Sequence, residues 1–135
     1  MAKLECYIMF DGDCKSAFTF YSGIFGGEPV FSKFDEMPGG AAAAGIDGER
    51  IMNVMLPIGD SVLRGCDLPK TEETARNKSA FNVMANAETK EQADYYFHSL
   101  ASGGHISMPI ESTFWGAYFG MCTDKFGIQW MVSFG

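Results

Sequence analysis

Few side chains in this sequence could carry chemistry, and none of them forms a known catalytic motif. The four cysteines are Cys6, Cys14, Cys66 and Cys122, with no CxxC pair and no histidine at zinc-ligand spacing. We therefore expect no structural zinc. Cys6 admits two interpretations, a nucleophile with a lowered pKa or a small core residue. No sequence motif supplies a base for it, since His98 falls within a predicted helix and His105 just after one.

Arg64 is the second candidate. It lies in a predicted strand, residues 61–66, that follows a tight hairpin turn at Gly59-Asp60. If the side chain enters a cleft, its guanidinium suits a carboxylate or phosphate-type ligand through bidentate hydrogen bonds. In the other strand register Arg64 lies in solvent. Both interpretations stay open from the sequence.

Aromatic and methionine residues near the end of the chain form the third candidate. Strand alternation places Trp115 and Phe119 on one face, and Trp130 opposite Met131. We expect Phe119 and Met131, with Trp115 beside Phe119, to form an apolar wall for a ligand, and Trp130 to pack in the core.

The elements that would position these residues occur twice in the same order. Each half is predicted to contain one strand, one helix ended by a Gly-Gly pair, and three further strands. The first half has a strand at 3–10, a helix at 14–25 capped by Asp13, and strands at 28–35, 51–58 and 61–66. The second half has a strand at 79–85, a helix at 88–102 and strands at 105–108, 114–122 and 128–134. Superposing Gly26-Gly27 on Gly103-Gly104 aligns Phe18 with Tyr95 and Phe20 with Phe97.

This repeat predicts an α+β fold of two βαβββ modules around a small-molecule cavity. We expect one domain over residues 1–135, with module one at 1–66, a polar linker at 67–78 and module two at 79–135.

Composition limits the classes of partner. Net charge is −7, and the ten Lys and Arg residues are scattered, so a nucleic acid or an anionic membrane surface is not expected to bind. No segment approaches the roughly 20 apolar residues of a membrane span, and the first ten residues do not form a signal peptide. With no export signal, a cytoplasmic location and reduced thiols are expected.

Three segments resemble a known family. YIMFDGDCKSAFTFYSGIFGGEP, LPIGDSVLRGCDLP and GGHISMPIESTFWGAYFGMCTDKFGIQWMVSF are similar to PhnB-like proteins, and the TFWG, TDKFG and QWM series is the most specific part. PhnB-like proteins belong to the vicinal oxygen chelate superfamily, with glyoxalase I, extradiol dioxygenases and bleomycin-resistance proteins. The resemblance runs from Tyr7 to Phe134. It implies a curved mixed sheet around a cleft and a homodimer.

Enzymes of that superfamily hold a divalent metal with His, Glu or Gln from four strands. By resemblance, the four positions fall here on Cys6, Arg64, a residue within 81–83, and Met131. A permanent cation and a soft thioether are poor ligands for such an ion. We therefore predict no metal and no cofactor.

The resemblance also brings a label, since PhnB-like sequences are often described as ubiquinone-pathway methyltransferases. The glycine-rich turn that usually binds S-adenosylmethionine is absent after the first predicted strand, so the residues do not support that activity. Three hypotheses remain: a small-molecule binding protein, which we favour; an enzyme of the superfamily, such as a lyase, isomerase or dioxygenase, with a non-standard site; and a dimerising scaffold with a vestigial cleft.

Overall fold

The computed structural model describes residues 2–69 and 81–135. The chain divides into two compact units, Met1–Asn77 and Lys78–Gly135, which we describe separately. Most of the predicted linker and the first two residues of the predicted strand 79–85 lie outside the described residues. Within the described ranges, no helix is long and apolar enough to cross a membrane.

The first unit is a βαβββ module with a four-stranded mixed sheet. Its strands are β1 (Cys6–Phe10), β2 (Val30–Lys33), β3 (Ile51–Ile58) and β4 (Ser61–Asp67), and its helix is α1 (Cys14–Phe25). The sheet order is β1-β4-β3-β2, with β1 and β4 parallel and the other pairs antiparallel. The bounds of α1 and β3 are those predicted, and the Gly59-Asp60 hairpin is confirmed. Two short 3-10 helices, Phe34–Glu36 and Ala42–Ala44, lie between β2 and β3.

One face of the first sheet packs against α1. Ile8, Phe10 and Leu63 are buried on this face, as are Phe18 and Tyr21 of the helix. Gly65 allows the close approach, because a Cβ there would lie 2.8 Å from the Phe18 ring and 2.6 Å from the backbone oxygen of Ile8. The alternate residues of each strand point to the opposite face, which we call the open face of the first sheet.

Asp67 corrects two predictions about this unit. It ends β4 and is buried, whereas the sequence placed it in the linker. Its carboxylate accepts hydrogen bonds from the backbone amides of Gly12, Cys14 and Ile51 at 2.8, 3.0 and 2.9 Å. Asp13, predicted to cap α1, stands at the N-cap position but makes no side-chain capping bond. The amides at the start of the helix are therefore satisfied by a carboxylate distant in sequence.

The second unit repeats the module. Its strands are β5 (Val83–Asn86), β6 (His105–Ser112), β7 (Tyr118–Thr123) and β8 (Gln129–Phe134), and its helix is α2 (Lys90–Ala101). The order is β5-β8-β7-β6, with β5 and β8 parallel. Strand β6 runs four residues beyond its predicted end and includes Pro109, which the sheet tolerates because β6 is an edge strand. Trp115 lies in the turn between β6 and β7, not in a strand as predicted.

The helices correct the predicted repeat alignment by one residue. Both have twelve residues, and an offset of 76 aligns buried Ala17, Tyr21 and Ile24 with buried Ala93, Phe97 and Leu100. The predicted offset of 77 places buried Phe18 on Tyr95, which is 53% exposed. The predicted alignment superposed the two Gly-Gly pairs, but these pairs do not occupy equivalent positions. The C-cap residue of α1 is Gly26, whereas that of α2 is Ser102.

A buried carboxylate also organises the second unit. Asp124 accepts bonds from the amides of Phe126 and Ile128 and, at 2.9 Å, from the indole nitrogen of Trp130. Trp130 is buried on the α2 side of the sheet, as the sequence predicted. The face opposite α2, where the alternate residues Gln129, Met131 and Ser133 point, is the open face of the second sheet.

Candidate functional site

A row of paired residues crosses the open face of the first sheet at Arg64. From one edge to the other, the row contains Tyr7, Arg64, Met55 and Val30, each paired with the next across the sheet. Tyr7 and Val30 are 47% and 56% exposed. Arg64 therefore has aromatic and apolar neighbours on both sides, and its charge is the only one in the row.

The Arg64 guanidinium is held by Glu5. The Nε atom donates to a Glu5 carboxylate oxygen at 3.1 Å, and both side chains are about one-third exposed. Glu5 is the only hydrogen-bonding partner of Arg64 within residues 2–69 and 81–135, and it engages Nε alone. The terminal nitrogens can therefore donate to a further anion. An anionic ligand would meet a guanidinium that is oriented but partly neutralised.

Tyr7 and Cys66 interact beside Arg64. Desolvation and, next, the neighbouring Cys66 thiol raise the pKa of Tyr7 to about 12. Desolvation also raises the pKa of the Cys66 thiol, although the neighbouring Tyr7 hydroxyl opposes the shift. Both groups are therefore protonated at neutral pH, and neither is a ready nucleophile.

Cys6 lies on the other face from Arg64. It pairs with buried Leu63, whereas the residue that pairs with Arg64 is Tyr7. The Cys6 side chain is exposed at the start of β1, and partial desolvation raises the pKa of its thiol. The structure therefore does not bring Cys6 and Arg64 together on one face, and the raised pKa is the opposite of what a nucleophilic thiolate requires.

The corresponding row of the second sheet consists of methionines. Met84 pairs with Met131, Met131 with Met121, and Met121 with Met108, so the four cross all four strands on the open face. We call these four residues the methionine row. Met84 is 48% exposed and the other three are partly exposed. The row combines flexible, polarisable side chains with an absence of charge.

Aromatic side chains adjoin the methionine row. Phe119 lies two residues before Met121 on the same face and pairs with Ser133. The rings of Trp115 and Phe119 meet edge to face at 6.0 Å, and those of Phe114 and Trp115 at 5.0 Å. The structure thus brings Trp115, Phe119 and Met131 to one surface of the second unit; that this surface lines a ligand cavity stays a prediction.

A separate depression of about 360 Å³ lies in the second unit, lined by residues that include Lys90, Thr113 and Tyr118. The Lys90 ammonium stands 4.9 Å from the centre of the Tyr118 ring, and the Tyr118 hydroxyl donates to Asp94. This bond is the main cause of a raised pKa for Tyr118. The depression contains none of the five site residues predicted from the sequence.

The donors on the two open faces do not fit a hard divalent metal. Arg64 and Met131 occupy two of the four positions that the resemblance assigns to ligands, and their partners on β1 and β5 are Tyr7 and Met84. A divalent metal needs carboxylate, imidazole or thiolate donors, whereas these residues offer a cation, a protonated phenol and two thioethers. In the part of the chain that the structure describes, no three His, Cys, Asp or Glu side chains are grouped to hold a metal.

The same pairs correct the predicted register. The positions predicted beside Arg64 and Met131 were Cys6 and a residue within 81–83, but the structure has Tyr7 and Met84. Each prediction was at least one residue too early, and a shift of one residue along a strand turns the side chain to the other face.

The paired modules, with strand order and helix placement repeated in each unit, are the architecture implied by the resemblance. The model of the Glyoxalase/Bleomycin resistance protein/Dioxygenase superfamily matches residues 3–132. The chain belongs to this superfamily. The resemblance to PhnB-like proteins is confirmed by solved structures.

Protein PA1353 from Pseudomonas aeruginosa is 31% identical, with a TM-score of 0.82 over 99% of this chain and 98% of that one. A PhnB protein from Bacillus cereus, which carries a 3-demethylubiquinone-9 3-methyltransferase label, is 26% identical, with a TM-score of 0.83 over 99% and 100%. Protein YjdN from Escherichia coli strain K12 is 28% identical over 96% of this chain and 93% of its own. These similarities show the superfamily and the fold but not a reaction.

Proposed function

We propose that this protein binds a small anionic organic molecule without a divalent metal, and that Arg64 is the anchor for the anion. The observation that carries the proposal is the position of Arg64 on the open face; among residues 2–69 and 81–135, only Glu5 engages its guanidinium, and it does so at Nε. The two terminal nitrogens suit a carboxylate or phosphate group, which accepts two parallel hydrogen bonds from a guanidinium.

The surface of Trp115, Phe119 and Met131 supports the same proposal from the second unit. Ligand sites are mostly apolar and aromatic with a few polar groups that fix orientation. An edge-to-face aromatic pair beside the adaptable thioether of Met131 is a surface of that kind. That the two open faces enclose one cleft stays a prediction, as do the homodimer and the cytoplasmic location.

The first test is a calorimetric titration in which benzoate or inorganic phosphate is added to the wild type and to each of three variants. We expect Arg64→Ala to weaken binding at least tenfold, because the charge-assisted bonds are lost. Arg64→Lys keeps the charge but not the planar guanidinium, so its affinity for the anion should lie between those of the wild type and Arg64→Ala. Equal affinities of the wild type and Arg64→Ala would remove Arg64 from the site.

The variant Glu5→Gln makes the test specific. Removing the Glu5 carboxylate removes a competitor for the guanidinium and a repulsive charge, so anion affinity should rise about two- to fivefold, the equivalent of a partly exposed ion pair. Lower affinity would contradict a competing role for Glu5. Metal analysis of the purified protein completes the test, since one divalent ion per chain would refute a metal-free site.

A further inference from the structure

We propose that the methionine row of the second sheet binds the soft monovalent cation Cu(I) through its thioether sulfurs. This inference does not rest on the proposed function, because an ion on the thioethers needs neither Arg64 nor an anion; Met131 is the one residue that belongs to both surfaces. It rests on the register of the sheet, the chemistry of the row and the contrast between the two units.

The register places three thioethers next to one another. Met131 has Met84 on one side and Met121 on the other. Met131 and Met121 face each other across antiparallel strands, where Cβ atoms are about 4.5–5.5 Å apart, and Met84 is on the parallel neighbour β5, about 4.7–4.9 Å from β8. Methionine has three rotatable bonds, so three neighbouring sulfurs can turn toward one ion. Met108 lies at the edge between two register irregularities and supplies a fourth sulfur.

The chemistry of the row selects a soft ion. Thioethers favour Cu(I), whereas hard divalent ions require oxygen or imidazole donors. The row contains no charged side chain, and in the neighbouring row Phe119 pairs with Ser133 on one side and with Glu111, a carboxylate that attracts cations, on the other. Nothing in the row therefore repels a cation, and the 48% exposure of Met84 leaves a route of entry.

The first sheet provides the contrast. Its equivalent row contains the Arg64 guanidinium between Tyr7 and Met55, and this charge repels a cation. Met9, also on that face, pairs with Cys66 and not with another methionine. Met9 and Met55 are therefore matched controls, since they are partly exposed methionines on an open face and neither pairs with a methionine in the described strands of the first sheet.

The experiment uses Ag(I) as a redox-inert substitute for Cu(I), with protein labelled with ¹³C at the methionine methyl groups. The protein carries Cys6→Ser and Cys66→Ser, because those two accessible thiols would capture silver. With one equivalent of Ag(I), the methyl signals of Met84, Met121 and Met131 should shift together. Those of Met9 and Met55 should not. No shift, or equal shifts of all nine methionines, would overturn the proposal.

Affinity measurements give a second readout. The variant M84L/M121L replaces two donors at nearly constant volume and should weaken Ag(I) binding at least tenfold, whereas M9L/M55L should not change it. Affinity should be equal at pH 6 and pH 8, because thioethers carry no proton. Unchanged binding by M84L/M121L, or tighter binding as pH rises, would point to other ligands and refute the site.

The two proposals fail separately. M84L/M121L alters none of the residues proposed for the organic ligand and should bind benzoate like the wild type. Arg64→Ala should bind Ag(I) like its parent. Loss of benzoate binding in M84L/M121L would show that the variant disturbs the whole face, and it would overturn the claimed independence.

Discussion

Replacing Asp67 tests most directly how β4 is joined to the start of α1. The carboxylate of Asp67 is buried and accepts three backbone amides at 2.8–3.0 Å, from Gly12, Cys14 and Ile51. The bonds from Cys14 and Ile51 are buried, and that from Gly12 is partly exposed. Asp67→Ala therefore leaves two buried donors without a partner and a third that can reach water.

The magnitude follows from these three donors. Leaving a buried donor unpaired costs about 1–3 kcal/mol, so Asp67→Ala should lower the free energy of unfolding by about 3–5 kcal/mol. A domain of this size has about 5–15 kcal/mol in total. Asp67→Asn keeps one carbonyl oxygen for two amides and turns an NH₂ group toward the third, so it should cost about 1–3 kcal/mol.

Urea denaturation followed by circular dichroism gives these free energies, and hydrogen exchange at Cys14 and Ile51 locates the effect. Asp13→Ala is the matched control, because Asp13 stands at the N-cap without a capping bond and its loss should cost less than about 0.5 kcal/mol. If Asp67→Ala cost under 1 kcal/mol, or Asp13→Ala cost as much as Asp67→Ala, the assignment of the cap to Asp67 would be wrong.

Three further predictions concern the core and the thiols. Gly120→Ala should cost about 1–3 kcal/mol in a urea titration, because its Cβ would lie 2.7 Å from the Phe97 ring. Gly23→Ala, with no atom within 4 Å of the added Cβ, should be neutral or stabilising by up to about 1 kcal/mol; equal losses would contradict the packing. With a thiol reagent, exposed Cys6 should react before buried Cys122, and faster as pH rises toward its raised pKa. Burial raises the pKa of Cys122 to about 11. Its stabilising contribution should therefore be complete below the unfolded thiol's pKa of about 8.5 and be lost as pH rises through about 11. If the wild type lost stability as the pH fell and a Cys122→Ala variant did not, the predicted direction of the pH dependence would be refuted.

Local patterns in the sequence predicted the elements best. The helical spacing of apolar residues, ended by glycine, set the bounds of α1, and strand formers before Gly59-Asp60 set those of β3. The same reasoning ended β6 before Pro109, which is too early. An edge strand tolerates proline, but the position of a strand at the edge of its sheet is not a local property of the sequence. It also placed Trp115 in a strand when the residue lies in a turn.

The candidate site could be predicted only in part, because alternation shows which residues share a face but not which face is covered. Trp130 and Met131 were correctly predicted to point in opposite directions, and the packing of α2 decided which of them was buried. In β1 the sequence predicted that Cys6 lies beside Arg64, but the structure has Tyr7 there. Only the pairing of β1 with β4 establishes which residue of β1 shares a face with Arg64.

The sequence by itself indicated the superfamily, through its resemblance to PhnB-like proteins, and the two-module order, because helices, strands and turns are marked by local patterns of residues. It did not reveal that Met84, Met108, Met121 and Met131 are neighbours. These residues are far apart in the chain, and only the strand order β5-β8-β7-β6 aligns them. Glu5 and Arg64, or Asp67 and the start of α1, became partners for the same reason. Tertiary structure therefore decided the chemistry of both open faces, because hydrogen bonding between distant strands determines which side chains meet.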